Sequence, residues 1–64
     1  VNLSNNLKKL RKARGLSQEG VSRRVDGLSR YNLATYETGI AEPSLCTLYN
    51  LSIFYGVTLD QLIK

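Results

Sequence analysis

Histidine, methionine and tryptophan are absent from these 64 residues, and cysteine, proline and phenylalanine occur once each. Without histidine, and with the single thiol of Cys46, the chain lacks the usual donors of a metal cluster, an intrachain disulfide and an imidazole for acid–base work. Its few carboxylates, Glu42 and Asp60 among them, are scattered, and no nucleophile is paired with a base, so the chain reads as non-enzymatic and in need of no cofactor or metal. No stretch approaches the roughly 20 apolar residues of a membrane helix. No basic and apolar leader resembles a signal peptide either. A soluble, cytoplasmic chain with no membrane partner and no evident small-molecule substrate is the expectation, and Cys46 reads as a small buried apolar side chain. A start at Val1 without any methionine suggests processing, or a piece of something longer; residues 1–64 read as one domain.

A domain this short hides only about 60% of the surface its unfolded chain exposes, so the core must be thin. The net charge of +4 is unevenly spread. Lys8, Lys9, Arg11, Lys12, Arg14, Arg23, Arg24 and Arg30 lie in residues 1–30 against Glu19 and Asp26, whereas residues 31–64 carry Lys64 against Glu37, Glu42 and Asp60. Such a division fits a face that meets a polyanion, and it fits equally a solvated helix surface rich in ordinary helix formers.

Apolar spacing predicts helices and no strands. Leu3, Leu7, Leu10 and Arg14 recur at helical intervals, giving helix one over about Ser4 to Arg14, stopped by Gly15 with Leu16 as the closing apolar residue. Ser17 caps helix two, Gln18 to Val25, with Val21 and Val25 inward and Gly20 weakening its first turn by roughly 1 kcal/mol. Asp26-Gly27 is a turn, and Ser29 caps helix three, Arg30 to Glu37, with Leu33 and Tyr36 inward. Thr38-Gly39 ends it. After a loop over Ile40 to Pro43, a fourth helix opens at Pro43-Ser44, carries Leu45, Leu48, Leu51, Ser52 and Tyr55 on one side, and closes at Gly56. Thr58 caps a last turn or two with Leu59, Leu62 and Ile63 apolar. The sum is a compact all-α bundle of five helices in which helices two and three form a helix-turn-helix.

The runs LKKLRKARGLSQ from Leu7, LSRYNLATYETG from Leu28 and EPSLCTLYNLSIFYGVTLDQLI from Glu42 closely resemble the Cro and phage-repressor type of helix-turn-helix domain, with its lambda-repressor-like fold, over nearly the whole chain. That resemblance implies sequence-specific binding of double-stranded DNA by a prokaryotic or phage transcriptional regulator, with the helix at 30–37 in the major groove. It implies base readout by Arg30, Tyr31 and Thr35, and backbone contacts from Gln18, Ser29, Asn32 and Thr38. It also implies a partly buried ion pair between Arg11 and Glu37. Arg suits guanine O6 and N7 through two parallel hydrogen bonds, although Arg30 serves a phosphate almost as well. Tyr31 either packs on a thymine methyl or a sugar, or covers helix two. Arg23, with Arg24 beside it, reads as a backbone contact or a solvated charge.

Several positions depart from the pattern. Asp26-Gly27 lengthens the turn by one residue, with a consequence for the tilt of helix three. Gly20 stands where the family often has Glu, Ser22 where it has a small apolar residue, and Glu42 in a loop that is often basic. Tyr49 and Ile53, with Leu59 nearby, are expected to form a dimer surface on a pseudo-palindromic operator. The alternative is a protein-interaction module that holds a protein partner through exposed Tyr49, Ile53 and Phe54, with DNA binding weak or lost.

Overall fold

The computed structural model describes residues 2–64; Val1, the first residue of the expected 1–64 domain, lies outside them. Five helices follow one another: α1 Leu3–Ala13, α2 Gln18–Arg24, α3 Arg30–Thr38, α4 Leu45–Tyr55 and α5 Leu59–Ile63, with no strand among the described residues. None is long and apolar enough to cross a membrane.

Hydroxyl caps set the starts. Ser17, Ser29, Ser44 and Thr58 each accept the backbone N–H three residues on, at Gly20, Asn32, Thr47 and Gln61. Each satisfies one of the donors that a helix start leaves orphaned. α1 ends in a reciprocal pair of bonds, Leu16 N–H to the Arg11 carbonyl and Gly15 N–H to the Lys12 carbonyl. The bonds demand a left-handed residue between them, and Gly15 supplies it at φ 67°. α3 and α4 stop in the same way. Relative to the sequence reading, α1 is shifted one residue toward the N-terminus and α3 runs one residue further, to Thr38.

α1 packs against α3 and α5, α2 against α3, and α4 against α5. Leu7, Val21, Val25, Leu28, Leu33, Leu51, Tyr55 and Leu62 form the buried core. Tyr36 only half-enters it. The ends of the chain are tied together by asparagines that carry no signal in the helical pattern. Asn6 Nδ2 donates to the Leu62 carbonyl at 2.7 Å, Asn2 N–H to that of Ile63 at 3.0 Å, and Asn2 Nδ2 to that of Lys64 at 3.1 Å. These bonds occupy the carbonyls that a five-residue helix cannot satisfy itself.

Three expectations for α4 fail. Cys46 is exposed rather than buried, Leu45 leaves the inward face and is 72% exposed, and Phe54 is half-buried with its ring edge-on to Tyr55 at 5.0 Å. α4 carries apolar residues around most of its circumference, so spacing alone could not choose which of them turn inward.

Tyr55 is 1% exposed, and its hydroxyl has no hydrogen-bond partner among the described residues. Burial first, and then the Glu37 carboxylate, raise its pKa from 10.0 to about 12, against the opposing pull of Arg11 and Arg14. The folded state therefore resists ionisation of this phenol: stability is unaffected by it below about pH 10 and falls by on the order of 2 kcal/mol as pH rises from there through 12. In Tyr55→Phe this alkaline loss should disappear, and at pH 7 the variant should be at least as stable as the parent, because an unpaired buried hydroxyl costs about 1–3 kcal/mol. Urea unfolding at pH 7, 9 and 11 reads both effects.

Candidate nucleic-acid interface

α2 and α3 meet through a tight turn. Leu28 N–H reaches the Val25 carbonyl at 3.3 Å, and Gly27 stands at φ 75° in the third position of the turn. Asp26, as a non-glycine, keeps a negative φ, and that combination is a type II turn, which requires the left-handed residue where Gly27 lies. Val25 and Leu28 on either side of the turn both reach the core.

α3 separates its faces sharply. Leu33 and Glu37 point in and are buried. Arg30, Tyr31, Asn32 and Thr38 are exposed, Tyr31 to 76%, and Thr35 is half-buried. Ser29 caps the helix by accepting from Asn32 N–H at 3.1 Å, which leaves its own proton free. The hydroxyl of Thr35 donates to the Asn32 carbonyl at 2.7 Å, and that of Thr38 to the carbonyls of Ala34 and Thr35 at 3.0 and 3.1 Å. Both threonines thus present a methyl group and oxygen lone pairs, with their protons already engaged.

Behind this helix lies a charged clamp. Arg11 Nε donates to Glu37 Oε2 at 2.8 Å and Nη2 to Oε1 at 3.1 Å, a two-pronged pair. The Glu37 side chain is fully buried and that of Arg11 is 13% exposed. Nη1 of Arg11 donates to the Leu16 carbonyl at 2.9 Å, and Gln18 Nε2 donates to Glu37 Oε1 at 3.3 Å. One carboxylate therefore joins the end of α1, the start of α2 and the end of α3. The hydrogen bond to Glu37 raises the Arg11 pKa further above its ordinary value, against the opposing effect of burial, so the guanidinium stays charged.

Arg11, Ser17, Gln18, Glu19 and Arg30 line a polar cleft of about 310 Å³ between the starts of α2 and α3. Ser17 is a member of this cleft that helical spacing marked only as a cap. Arg30 makes no ion pair among the described residues, whereas Arg23 is held by Glu19 across one turn of α2, Nη2 to Oε1 at 2.9 Å. On α4, away from this cleft, Tyr49 is 56% and Ile53 62% exposed. With Leu45, Cys46, Asn50 and the half-buried Leu59, Tyr49 lines an apolar groove of about 500 Å³.

Comparison with known proteins places this arrangement among familiar ones. The helix-turn-helix family pattern matches residues 7–62. The chain is 41% identical over 61 residues to the uncharacterized HTH-type transcriptional regulator YqaE of Bacillus subtilis, covering 95% of this chain and 52% of that protein. It is 43% identical over 58 residues to the SPbeta prophage-derived uncharacterized HTH-type transcriptional regulator YonR of the same organism, covering 91% and 53%. Against y4dJ of Sinorhizobium fredii, another uncharacterized HTH-type transcriptional regulator, the identity is 36%, covering 95% and 78%. This chain thus spans about half the length of the two Bacillus relatives. A crystal structure of an HTH_3 family transcriptional regulator from Vibrio cholerae superposes with a TM-score of 0.80 at 29% identity, over 97% of this chain and 34% of that one.

Proposed function

Because the chain belongs to the helix-turn-helix family, we propose that it is the operator-binding domain of a bacterial or phage transcriptional regulator, laying α3 in the major groove of duplex DNA. The observation that carries this reading is the start of α3, where Arg30 and Tyr31 stand exposed while Glu37, two turns on, is locked into the body of the protein. A helix held rigidly at its far end can offer its first turn to base edges with little loss of order on docking.

In this reading Arg30 contacts guanine, and Tyr31 and the methyl of Thr35 pack against a thymine methyl or a sugar. Ser29 donates its free proton to a phosphate, and Gln18 has a second amide proton for the same purpose. Asn32 reaches the backbone beside them. Thr38 can donate only by turning its proton away from the Ala34 carbonyl. Arg23 must leave Glu19 to reach a phosphate. The domain works in the cytoplasm as a repressor that occludes its operator.

The second copy of a homodimer is the proposed occupant of the α4 face. Leu45, Tyr49 and Ile53 are exposed at intervals of four. Such a stripe is its own mirror in sequence order: an antiparallel two-fold pairing centred on Tyr49 sets Leu45 against Ile53 of the second copy, with Leu59 at the margin. Three side chains supply on the order of 400 Å² per protomer, about half of a standard interface, so the pair is weak alone and is completed on DNA. Its two recognition helices would sit about 34 Å apart over a pseudo-palindrome.

Two substitutions separate readout from positioning. Arg30→Ala should weaken operator binding by about 1–3 kcal/mol and relax preference at one base pair. Arg23→Ala should weaken all duplexes alike and lower the salt slope by about one per protomer. Fluorescence titration of operator and scrambled duplexes measures both, and an Arg30→Ala protein that binds the operator as the parent does would remove Arg30 from the readout.

A further inference from the structure

We infer that Glu19 sets the strength of DNA binding without reading sequence, by subtracting positive charge from the phosphate-facing end of α2. The inference rests on the DNA-binding reading above and concerns a residue that carries none of its contacts. Two observations converge on Glu19. Glu19 lines the same cleft as Arg30, Gln18 and Ser17, and its Oε1 holds Arg23 at 2.9 Å.

The charge inventory of that cleft is short. Arg11 lines it, but its guanidinium is committed to Glu37 and to the Leu16 carbonyl through Nε, Nη1 and Nη2. Among the described residues Arg30 is therefore the unpaired cation of the cleft, and Glu19 is its anion, paired with Arg23. A phosphate that reaches Gln18 at this cleft while Arg30 is on its base meets Glu19. Outside the cleft the same carboxylate holds Arg23, the next cation along α2. Glu19 acts twice, once by repelling a phosphate and once by competing with one for the Arg23 guanidinium.

The Glu19–Arg23 pair costs little to exchange. Both side chains are largely exposed, 56% and 76%, and such i,i+4 pairs contribute little to stability. Arg23 can therefore turn to a phosphate, but the unpaired carboxylate stays behind beside it. Two like charges about 4 Å apart in water repel by about 1 kcal/mol, roughly a fivefold factor in affinity. Phosphates are the same in every sequence, so the factor applies equally to operator and scrambled duplex. A binder surrounded by a large excess of nonspecific sites spends less time on them when its backbone contacts are held down in this way.

Glu19 also complements the positive end of α2, so the test must read more than stability. Glu19→Gln keeps the size and helix propensity of the side chain and removes its charge. At 50 mM salt it should bind operator and scrambled duplex about fivefold more tightly per protomer, with their ratio unchanged, and its salt slope should stay close to that of the parent because Arg23 reaches a phosphate in both. In an Arg23→Ala background the same change should still tighten binding and leave the slope unaltered. Unchanged affinity in Glu19→Gln, with the melting temperature within a few degrees of the parent, overturns the inference. Selective weakening on the operator overturns it as well and makes Glu19 an acceptor for a base edge. Should neither parent nor variant bind duplex DNA, the DNA-binding reading falls and the inference falls with it.

Discussion

Arg11→Ala is expected to leave the domain largely unfolded at 25 °C. The substitution strands the Glu37 carboxylate, whose side chain is fully buried, with only the 3.3 Å bond from Gln18 to compensate it. Breaking one side of a buried pair costs about 3–5 kcal/mol, and a core of this size rarely supplies more than about 3–5 kcal/mol in all. The loss also frees the Leu16 carbonyl at the end of α1, where the chain turns into α2. Thermal melts followed by far-UV circular dichroism should show the midpoint lowered by at least about 12 °C. Arg11→Met combined with Glu37→Leu should recover much of the loss, because an apolar pair of similar volume replaces the charges without leaving one unpaired. A single Arg11→Ala variant that melts within two or three degrees of the parent would mean that Glu37 reaches water and that the clamp does not hold α3.

The second large effect concerns salt. Two exposed cations per protomer beside the base-reading Arg30, Arg24 and the exchangeable Arg23, would make about four phosphate contacts in a dimer. Counterion release then gives a slope of about −4 in log affinity against log salt, or roughly a 150-fold loss of affinity between 50 and 200 mM. Titrations of the operator duplex at four salt concentrations give this slope directly. A slope shallower than about −1 would show that the basic half of the chain is a solvated surface. The apolar face of α4 would then be the better place to look for a partner.

Much of this was legible in the sequence because small polar residues precede the helices and glycines follow them. Ser17, Ser29, Gly15 and Gly39 fixed boundaries to within a residue, since an orphaned N–H or a left-handed stop has few chemical solutions. The alternation of Leu33 with Arg30 and Tyr31 showed which side of α3 faces out. Glu37 was expected to be only partly buried and is wholly so, because the Arg11 guanidinium reaches it with two nitrogens at once. What stayed hidden depends on tertiary contact. No local pattern tells Leu45 and Cys46 that α5 and α1 leave their side of α4 uncovered. The bonds from Asn2 and Asn6 to the far end of the chain span more than fifty residues, and the hold of Glu19 on Arg23 decides a charge that composition counts as free.

The central claim, that α3 reads a specific duplex sequence, is tested most directly by selecting bound sites from random double-stranded DNA and titrating the best site against a scrambled duplex at two salt concentrations. A recovered pseudo-palindrome with half-sites about one helical turn apart, preferred over the scramble at both salts, is the predicted result. Recovery of no enriched sequence, with weak binding that vanishes at the higher salt, would contradict it.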